Sequence, residues 1–138
     1  MKLRSRILIT ILLVAILAVS GCQLGKPKTL KISILGPLSG DVKTFGESNR
    51  NGALMAIEEA RADGMEIETI IEDTRCDAQE AANAANKVIF EDEVSFIVGA
   101  VCSSASIPMS EICEANEVLQ ISGTSTNPAV TINEDGSN

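Results

Sequence analysis

The chain has 138 residues, of which 45% are hydrophobic and 22% are charged, and its net charge is −8. This length suits one domain or part of one with a globular core, and the acidic balance argues against nucleic acid as a partner. Because the chain has no histidine, a Ser-His-Asp triad and a histidine-based metal site are excluded. We expect neither a metal nor a cofactor.

The first 21 residues have the composition of an export signal. They begin with the basic residues Lys2, Arg4 and Arg6, and the apolar run Ile7–Val19 that follows is short for a membrane span. The run ends in Leu-Ala-Val-Ser-Gly before Cys22, which resembles a bacterial lipobox, where the cysteine receives lipid and becomes the mature N-terminus. We predict a lipoprotein signal peptide and lipidation of Cys22. The alternative is an ordinary signal peptide or an uncleaved anchor.

Residues 22–29 are typical of a short tether, because they contain glycine, proline and lysine and no apolar run. The acidic residues all follow the signal, so the mature part is more acidic than the whole chain. We therefore expect a domain over residues 30–138 that lies outside the cytoplasm and is held at a membrane by the lipid on Cys22.

From residue 30 onward, short apolar runs alternate with amphipathic helical stretches. We predict strands at 30–35, 67–71, 94–98 and 118–121, and helices at 47–62, after the N-cap Asp77, and at 103–116. This order predicts an α/β fold with a mostly parallel, Rossmann-like sheet covered by helices on both faces.

Ligands of such sheets bind beyond the carboxyl ends of the strands. The loops at that end are residues 36–46, 73–76, 99–104 and 122–127, and three of them are rich in Gly, Ser and Thr. In the third loop, Gly99 ends an apolar run and Ser103 and Ser104 open a helix. The first turn of a helix has free N–H groups that stabilise an anion. The sequence predicts a carboxylate or phosphate site here; the alternative is that Ser103 only caps its helix.

Three cysteines follow the predicted lipid attachment site. Cys76 and Cys102 follow the second and third strands, at the same end of the sheet, so a disulfide between them is geometrically plausible. Two reduced core cysteines are the alternative, which an export signal disfavours. Cys113 lies beside Ile112 on a helix and is expected to be a buried free thiol rather than a reactive one.

Residues 30 to about 132 resemble the branched-chain amino-acid binding proteins, which are type I periplasmic solute receptors of ABC transporters. The matching segments are Lys31–Gly40, Phe45-Gly46, Asn51-Gly52-Ala53, Glu72–Asp77, Ala81–Val88, Val98–Ser104 and Ile121–Thr126. The resemblance implies that Cys76 and Cys102 form the family's disulfide. It also implies that the chain is the N-terminal part of a two-lobed protein, with an exposed sheet edge and exposed apolar helix faces.

The resemblance also implies the residues that hold the ligand. Ser103, with its neighbouring backbone and Ser104, would hold the ligand carboxylate. Thr124 and Thr126 would take the ligand ammonium group or share the carboxylate, through carbonyl and hydroxyl oxygens. Phe45 would pack on the ligand side of the cleft, where the family sometimes has tyrosine, so a contact through that hydroxyl is lost. A plain core position is the alternative for Phe45.

The implied function is that of an extracytoplasmic substrate-binding lipoprotein, which passes an amino acid or related small polar solute to the permease of an ABC transporter. The alternative is the ligand-binding lobe of a sensory receptor with the same fold. An enzyme is disfavoured, because no nucleophile-and-base pair accompanies the loop carboxylates of Glu72 and Asp73.

Overall fold

The computed structural model describes residues 29–132 and residue 136. The described strands are β1 (Leu30–Gly36), β2 (Ile67–Asp73), β3 (Phe96–Gly99) and β4 (Leu119–Ile121), and the helices are α1 (Lys43–Ala62), α2 (Ala78–Phe90), α3 (Ser103–Ala115) and a 3-10 turn at Pro128–Val130. The predicted signal peptide, Cys22 and all but the last residue of the tether lie outside the described residues. None of the helices in the described part is long and apolar enough to cross a membrane.

The four strands form one parallel sheet in the order β2-β1-β3-β4, which confirms the predicted class of fold. The chain leaves β1 toward β2 on one side and returns to β3 on the other side. The sheet therefore has its topological switch point between β1 and β3, where ligands of open parallel sheets bind. The loops after these two strands are close together, since a Cβ added at Gly36 would lie 3.6 Å from Val101 Cγ2.

The main core lies between one face of the sheet and helices α2 and α3. Leu35 and Ile97 contribute from the strands, and mostly small side chains from the two helices complete it: Ala81, Ala84, Ala85, Val88, Ala105, Cys113 and the larger Met109. The α2 residues in this list share one face of the helix, as expected for an amphipathic helix. Its alanines let the helix approach the sheet and α3 closely, which high packing density requires.

The opposite face of the sheet is covered over β1 but open over β3 and β4. Ile34 points to this face, because it alternates with Leu35, and it is buried, as is Ile57 of α1. Phe96, Leu119 and Ile121 share the face through their register, yet they are 37%, 52% and 57% exposed. Part of the apolar surface expected to be exposed therefore lies on strands and not only on helices.

The bounds of helix α1 and strand β2 differ from the prediction, as do those of β3 and β4 by one or two residues. Helix α1 begins at Lys43 rather than near Glu47, so Phe45 and Gly46 belong to the helix and not to the preceding loop. A Lys43–Glu47 ion pair of 3.4 Å spans its first turn. The apolar stripe starts only later in the helix, so periodicity alone missed this turn. Strand β2 extends to Asp73 because Glu72 and Asp73 continue the pairing with β1.

Gly46 packs directly against the backbone of Pro37. A Cβ at Gly46 would lie 1.8 Å from the Pro37 carbonyl oxygen, whereas a Cβ at Gly52, on the same helix, meets nothing within 4 Å. We expect Gly46→Ala to lower the free energy of unfolding by roughly 1–3 kcal/mol through overpacking. Gly52→Ala, the matched control, should raise it by about 0.5–1 kcal/mol. Urea unfolding measures both, and equal effects of the two substitutions would contradict this packing.

Candidate ligand-binding site

The N-terminus of α3 presents two backbone donors at the switch point. Cys102 is the N-cap residue, and its carbonyl oxygen accepts the N–H groups of Ala105 at 3.0 Å and Ser106 at 2.9 Å. Within the described part of the chain, the N–H groups of Ser103 and Ser104 donate to no acceptor. They lie at the positive end of the helix dipole, so an anion placed there is stabilised.

The hydroxyl of Ser103 adds a third donor. Its Oγ accepts the N–H groups of Thr126 at 3.2 Å and Asn127 at 3.3 Å. A serine hydroxyl has two lone pairs and one hydrogen, so these two bonds occupy its acceptor capacity and leave the O–H to donate. Ser103 is therefore not the cap of its own helix, and its free hydrogen-bonding group suits a carboxylate.

Of the other three hydroxyl residues predicted to bind the ligand, two use their side chains to bond to the backbone and one does not. Thr124 Oγ1 donates to the Val101 carbonyl oxygen at 2.8 Å, and Ser104 Oγ donates to the Cys76 carbonyl oxygen at 3.2 Å. Both side chains thus hold loops together, and these residues can offer a ligand their backbone groups. Thr126 is exposed, and its hydroxyl makes no hydrogen bond to any described residue.

Phe45 lies in the first turn of α1 and is 64% exposed. The alternative that Phe45 is a core residue is therefore wrong. Its helix follows β1 at the carboxyl end of the sheet, so the exposed ring is available to an apolar group at this end. Helix α1 also borders the loop after β4, because a Cβ at Gly123 would lie 3.9 Å from Asn49 Oδ1.

Asp73, which the sequence analysis did not select as a binding residue, fastens the loop after β1. Its Oδ1 accepts the N–H groups of Leu38 at 2.7 Å and Arg75 at 2.9 Å, and its Oδ2 accepts the Ser39 hydroxyl at 2.5 Å. Burial opposes ionisation, but these hydrogen bonds and the Arg75 charge outweigh it and hold the pKa of Asp73 below its usual value. The position at the end of β2, preceding a turn, is the sequence signal for this role.

Because the pKa of Asp73 is lowered in the folded state, the free energy of unfolding depends on pH. The carboxylate's contribution to stability is complete above its ordinary pKa of 3.8 and is lost as the pH falls through the lower folded value. We expect Asp73→Asn to lower the free energy of unfolding by about 1–3 kcal/mol at pH 7. The difference from wild type should shrink as the pH falls below 3.8. Urea unfolding at a series of pH values measures it, and a constant difference from pH 7 downward would contradict the assignment.

The predicted pairing of Cys76 with Cys102 is confirmed. The two residues form a disulfide with their Cα atoms 5.5 Å apart and a sequence separation of 26. The bond ties the loop after β2 to the residue that immediately precedes Ser103. Cys113 is buried, and burial raises the pKa of its thiol to about 11, so it is a protonated core residue at neutral pH, as expected.

A group of serines surrounds the Ala100 carbonyl oxygen, and sequence reasoning did not single these residues out. Ser106, Ser122 and Ser125 all direct their hydroxyls to this oxygen. The density of hydroxyl residues in the loop after β4 was visible in the sequence. Their common acceptor was not, because it lies in another loop.

Comparison with known proteins places the chain in a family. A sequence profile described as "Periplasmic binding protein" matches residues 29–137. The leucine-, isoleucine-, valine-, threonine-, and alanine-binding protein of Pseudomonas aeruginosa is 42% identical over 107 residues, which are 75% of this chain and 28% of that protein.

Two solved structures share the fold. The branched-chain amino acid transporter substrate binding protein of Streptococcus pneumoniae, in complex with isoleucine, has a TM-score of 0.72 and 28% identity over 80% of this chain and 33% of its own. A leucine binding protein of Thermotoga maritima has a TM-score of 0.71 and 35% identity over 79% of this chain and 31% of its own. The chain thus spans about a third of the length of these proteins. It belongs to the periplasmic binding protein family, a family of extracytoplasmic binding proteins and not of enzymes.

Proposed function

We propose that the chain supplies one side of an amino-acid binding cleft in the substrate-binding protein of an ABC transporter. The observation that carries this proposal is the convergence of three donors, the Ser103 hydroxyl and the N–H groups of Ser103 and Ser104. Together they satisfy a carboxylate without any charged side chain. The N-terminus of a helix is a favourable place for such an anion, because the positive end of the helix dipole lies there.

The ammonium group of the amino acid is proposed to bind on the loop after β4. The Thr126 hydroxyl makes no hydrogen bond within the described residues. The Thr124 backbone carbonyl lies in the same loop and is also available to a ligand, because Thr124 bonds to Val101 through its side chain and not through this carbonyl. Both groups are neutral acceptors that suit an ammonium group. The Thr126 and Asn127 amides hold this loop next to Ser103. The ammonium group of an α-amino acid on the loop and its carboxylate at Ser103 would therefore bind to neighbouring segments.

We propose a branched aliphatic amino acid as the ligand. The exposed ring of Phe45 offers an apolar contact at this end of the sheet, and a phenylalanine provides no hydroxyl for a polar side chain. The proteins of P. aeruginosa and T. maritima are leucine-binding proteins by name, and that of S. pneumoniae was crystallised in complex with isoleucine.

The opposing side of the cleft is proposed to come from sequence beyond this chain. Two observations support this. The chain spans only 28% to 33% of the length of the proteins of P. aeruginosa and S. pneumoniae, and Phe96, Leu119 and Ile121 form an apolar sheet surface that the described residues leave partly exposed. Closure of two lobes around a ligand excludes water and strengthens the hydrogen bonds to it.

We further propose that the protein is exported and anchored. Residues 1–21 are proposed to be removed, Cys22 to receive lipid, and residues 23–29 to tether the domain near a membrane permease, its partner in transport. The basic start, the apolar run and the cysteine after Ser-Gly support this. Mass spectrometry of the mature N-terminus tests it: a lipidated Cys22 is expected, and an unmodified residue at another cleavage site would contradict it.

A thermal-shift screen on the natural full-length gene product tests the ligand class. Leucine, isoleucine and valine are expected to raise the melting temperature, because a ligand at 100 times its Kd stabilises the folded state by about 2.7 kcal/mol. Urea and 4-hydroxybenzoate, as an uncharged amide and an aromatic acid, serve as comparison ligands. A shift with either of these and none with the aliphatic amino acids would overturn the proposal.

A further inference from the structure

We propose that Ser106 and Ser125 are positioning residues that set the affinity for the amino acid without touching it. This inference rests on the proposed function, because it concerns the same site. Ser106 is fully buried, at 0% exposure, and lies behind Ser103 on the same helix. Ser125 immediately precedes Thr126 in the loop after β4.

The hydroxyls form a closed set of hydrogen bonds around one carbonyl oxygen. The Ala100 oxygen lies 2.6 Å from Ser122 Oγ, 3.2 Å from Ser106 Oγ and 3.3 Å from Ser125 Oγ, and the last two hydroxyls are 2.7 Å apart. A carbonyl oxygen has two lone pairs. Ser122 uses one of them and either Ser106 or Ser125 uses the other, while the remaining hydroxyl donates to its neighbour.

This set joins the same two segments that the ligand is proposed to bridge. Ser103 is tied to the loop after β4 by the Thr126 and Asn127 amides, and Ser106 is tied to that loop by Ser125. The two connections leave neighbouring turns of α3 and reach neighbouring residues of the loop. Together with the bonds of Thr124 to Val101 and of Ser122 to Ala100, they fix how the loop lies along the helix.

The connection between Ser106 and Ser125 therefore controls the direction of the Ser103 O–H. That hydrogen points away from two accepted N–H groups, so its direction is set by where Thr126 and Asn127 lie. Gln120 supports the same arrangement from β4, since its Nε2 donates to the Gly99 carbonyl oxygen at 3.0 Å. Groups held in their binding geometry before the ligand arrives bind more tightly, because less freedom is lost on binding.

The test compares two substitutions of nearly equal size at Ser125. Ser125→Thr keeps the hydroxyl, and Ser125→Val replaces it by a methyl group. In the natural full-length protein, isothermal titration with L-isoleucine is expected to give a Kd about tenfold higher for Ser125→Val than for wild type. Ser125→Thr should stay within about twofold. A role in folding alone would change the melting temperature of the valine variant and leave its Kd unchanged.

Helix α3 offers a matched second pair. Ser106→Ala removes the buried hydroxyl, whereas Ser110→Ala removes one that donates only within the helix, to the Ile107 carbonyl oxygen at 2.7 Å. We expect a Kd about tenfold higher for Ser106→Ala and an unchanged Kd for Ser110→Ala. In the ligand-free protein, the Thr126 and Asn127 amides should exchange hydrogen faster in Ser125→Val than in Ser125→Thr.

The outcomes separate the two proposals. Equal Kd values for the valine and threonine variants, in a protein that binds isoleucine, would overturn the positioning role alone. A wild-type protein that binds no aliphatic amino acid would overturn the proposed function. In that case, equal amide exchange in the two Ser125 variants would also overturn the structural part of this inference.

Discussion

Ser103→Ala is expected to weaken binding of L-isoleucine by about 30- to 150-fold. The substitution removes an O–H that donates to no described residue, and a hydrogen bond to a charged group contributes about 2–3 kcal/mol. It also removes the acceptor of the Thr126 and Asn127 amides, so the loop that carries the ammonium site loses one of its two connections to α3 and keeps the one between Ser106 and Ser125. Isothermal titration of the natural full-length protein measures the loss.

The control for this substitution is Ser110→Ala on the same helix. Among the described residues, the Ser110 hydroxyl bonds only to the Ile107 carbonyl oxygen. The Ser110→Ala protein should bind isoleucine as the wild type does. A Ser103→Ala protein with a Kd within about threefold of wild type would contradict a direct hydrogen bond, because a charged hydrogen bond contributes more than that.

Loss of the Cys76–Cys102 disulfide is expected to lower the free energy of unfolding by about 3 kcal/mol, the value for a loop of this length. The bond connects residues 26 apart, and it fixes Cys102, the residue that caps α3. The double substitution of both cysteines by alanine should therefore also weaken ligand binding, through a less ordered helix N-terminus.

Urea unfolding with and without a reducing agent checks this expectation. Reduction should lower the unfolding midpoint of the wild type and leave that of the double variant unchanged, since Cys113 is buried and free in both. A wild-type midpoint that does not respond to complete reduction would contradict a stabilising role for the disulfide.

Much of the fold was predictable because its signals are local or repeat regularly. Asp77 accepts the N–H groups of Gln79 and Glu80 at 2.8 and 2.9 Å, and a cap of this kind depends only on neighbouring residues. The alternation of apolar runs and helical stripes predicted the parallel sheet. The early start of α1 escaped prediction because contact of Gly46 with Pro37, a tertiary interaction, favours a turn that has no apolar stripe.

The site was predictable only in part, for a physical reason. A helix N-terminus with serines after a strand indicates an anion site from the sequence alone. Which hydroxyls are free depends on partners far along the chain: Thr124 donates to Val101, and Ser103 accepts Thr126. A hydroxyl rotates to suit its neighbours, so its role is decided by tertiary structure and not by residue type.

The central claim is that the N-terminus of α3, with the Ser103 hydroxyl, binds the carboxylate of an α-amino acid. Titration of the natural full-length protein with L-isoleucine and with L-isoleucinamide tests it most directly, because the two ligands differ only in the carboxyl group. Since a site built for one polar group strongly rejects an analogue that lacks it, we expect the amide to bind at least about 100-fold more weakly. Equal affinity for the two ligands would contradict the claim.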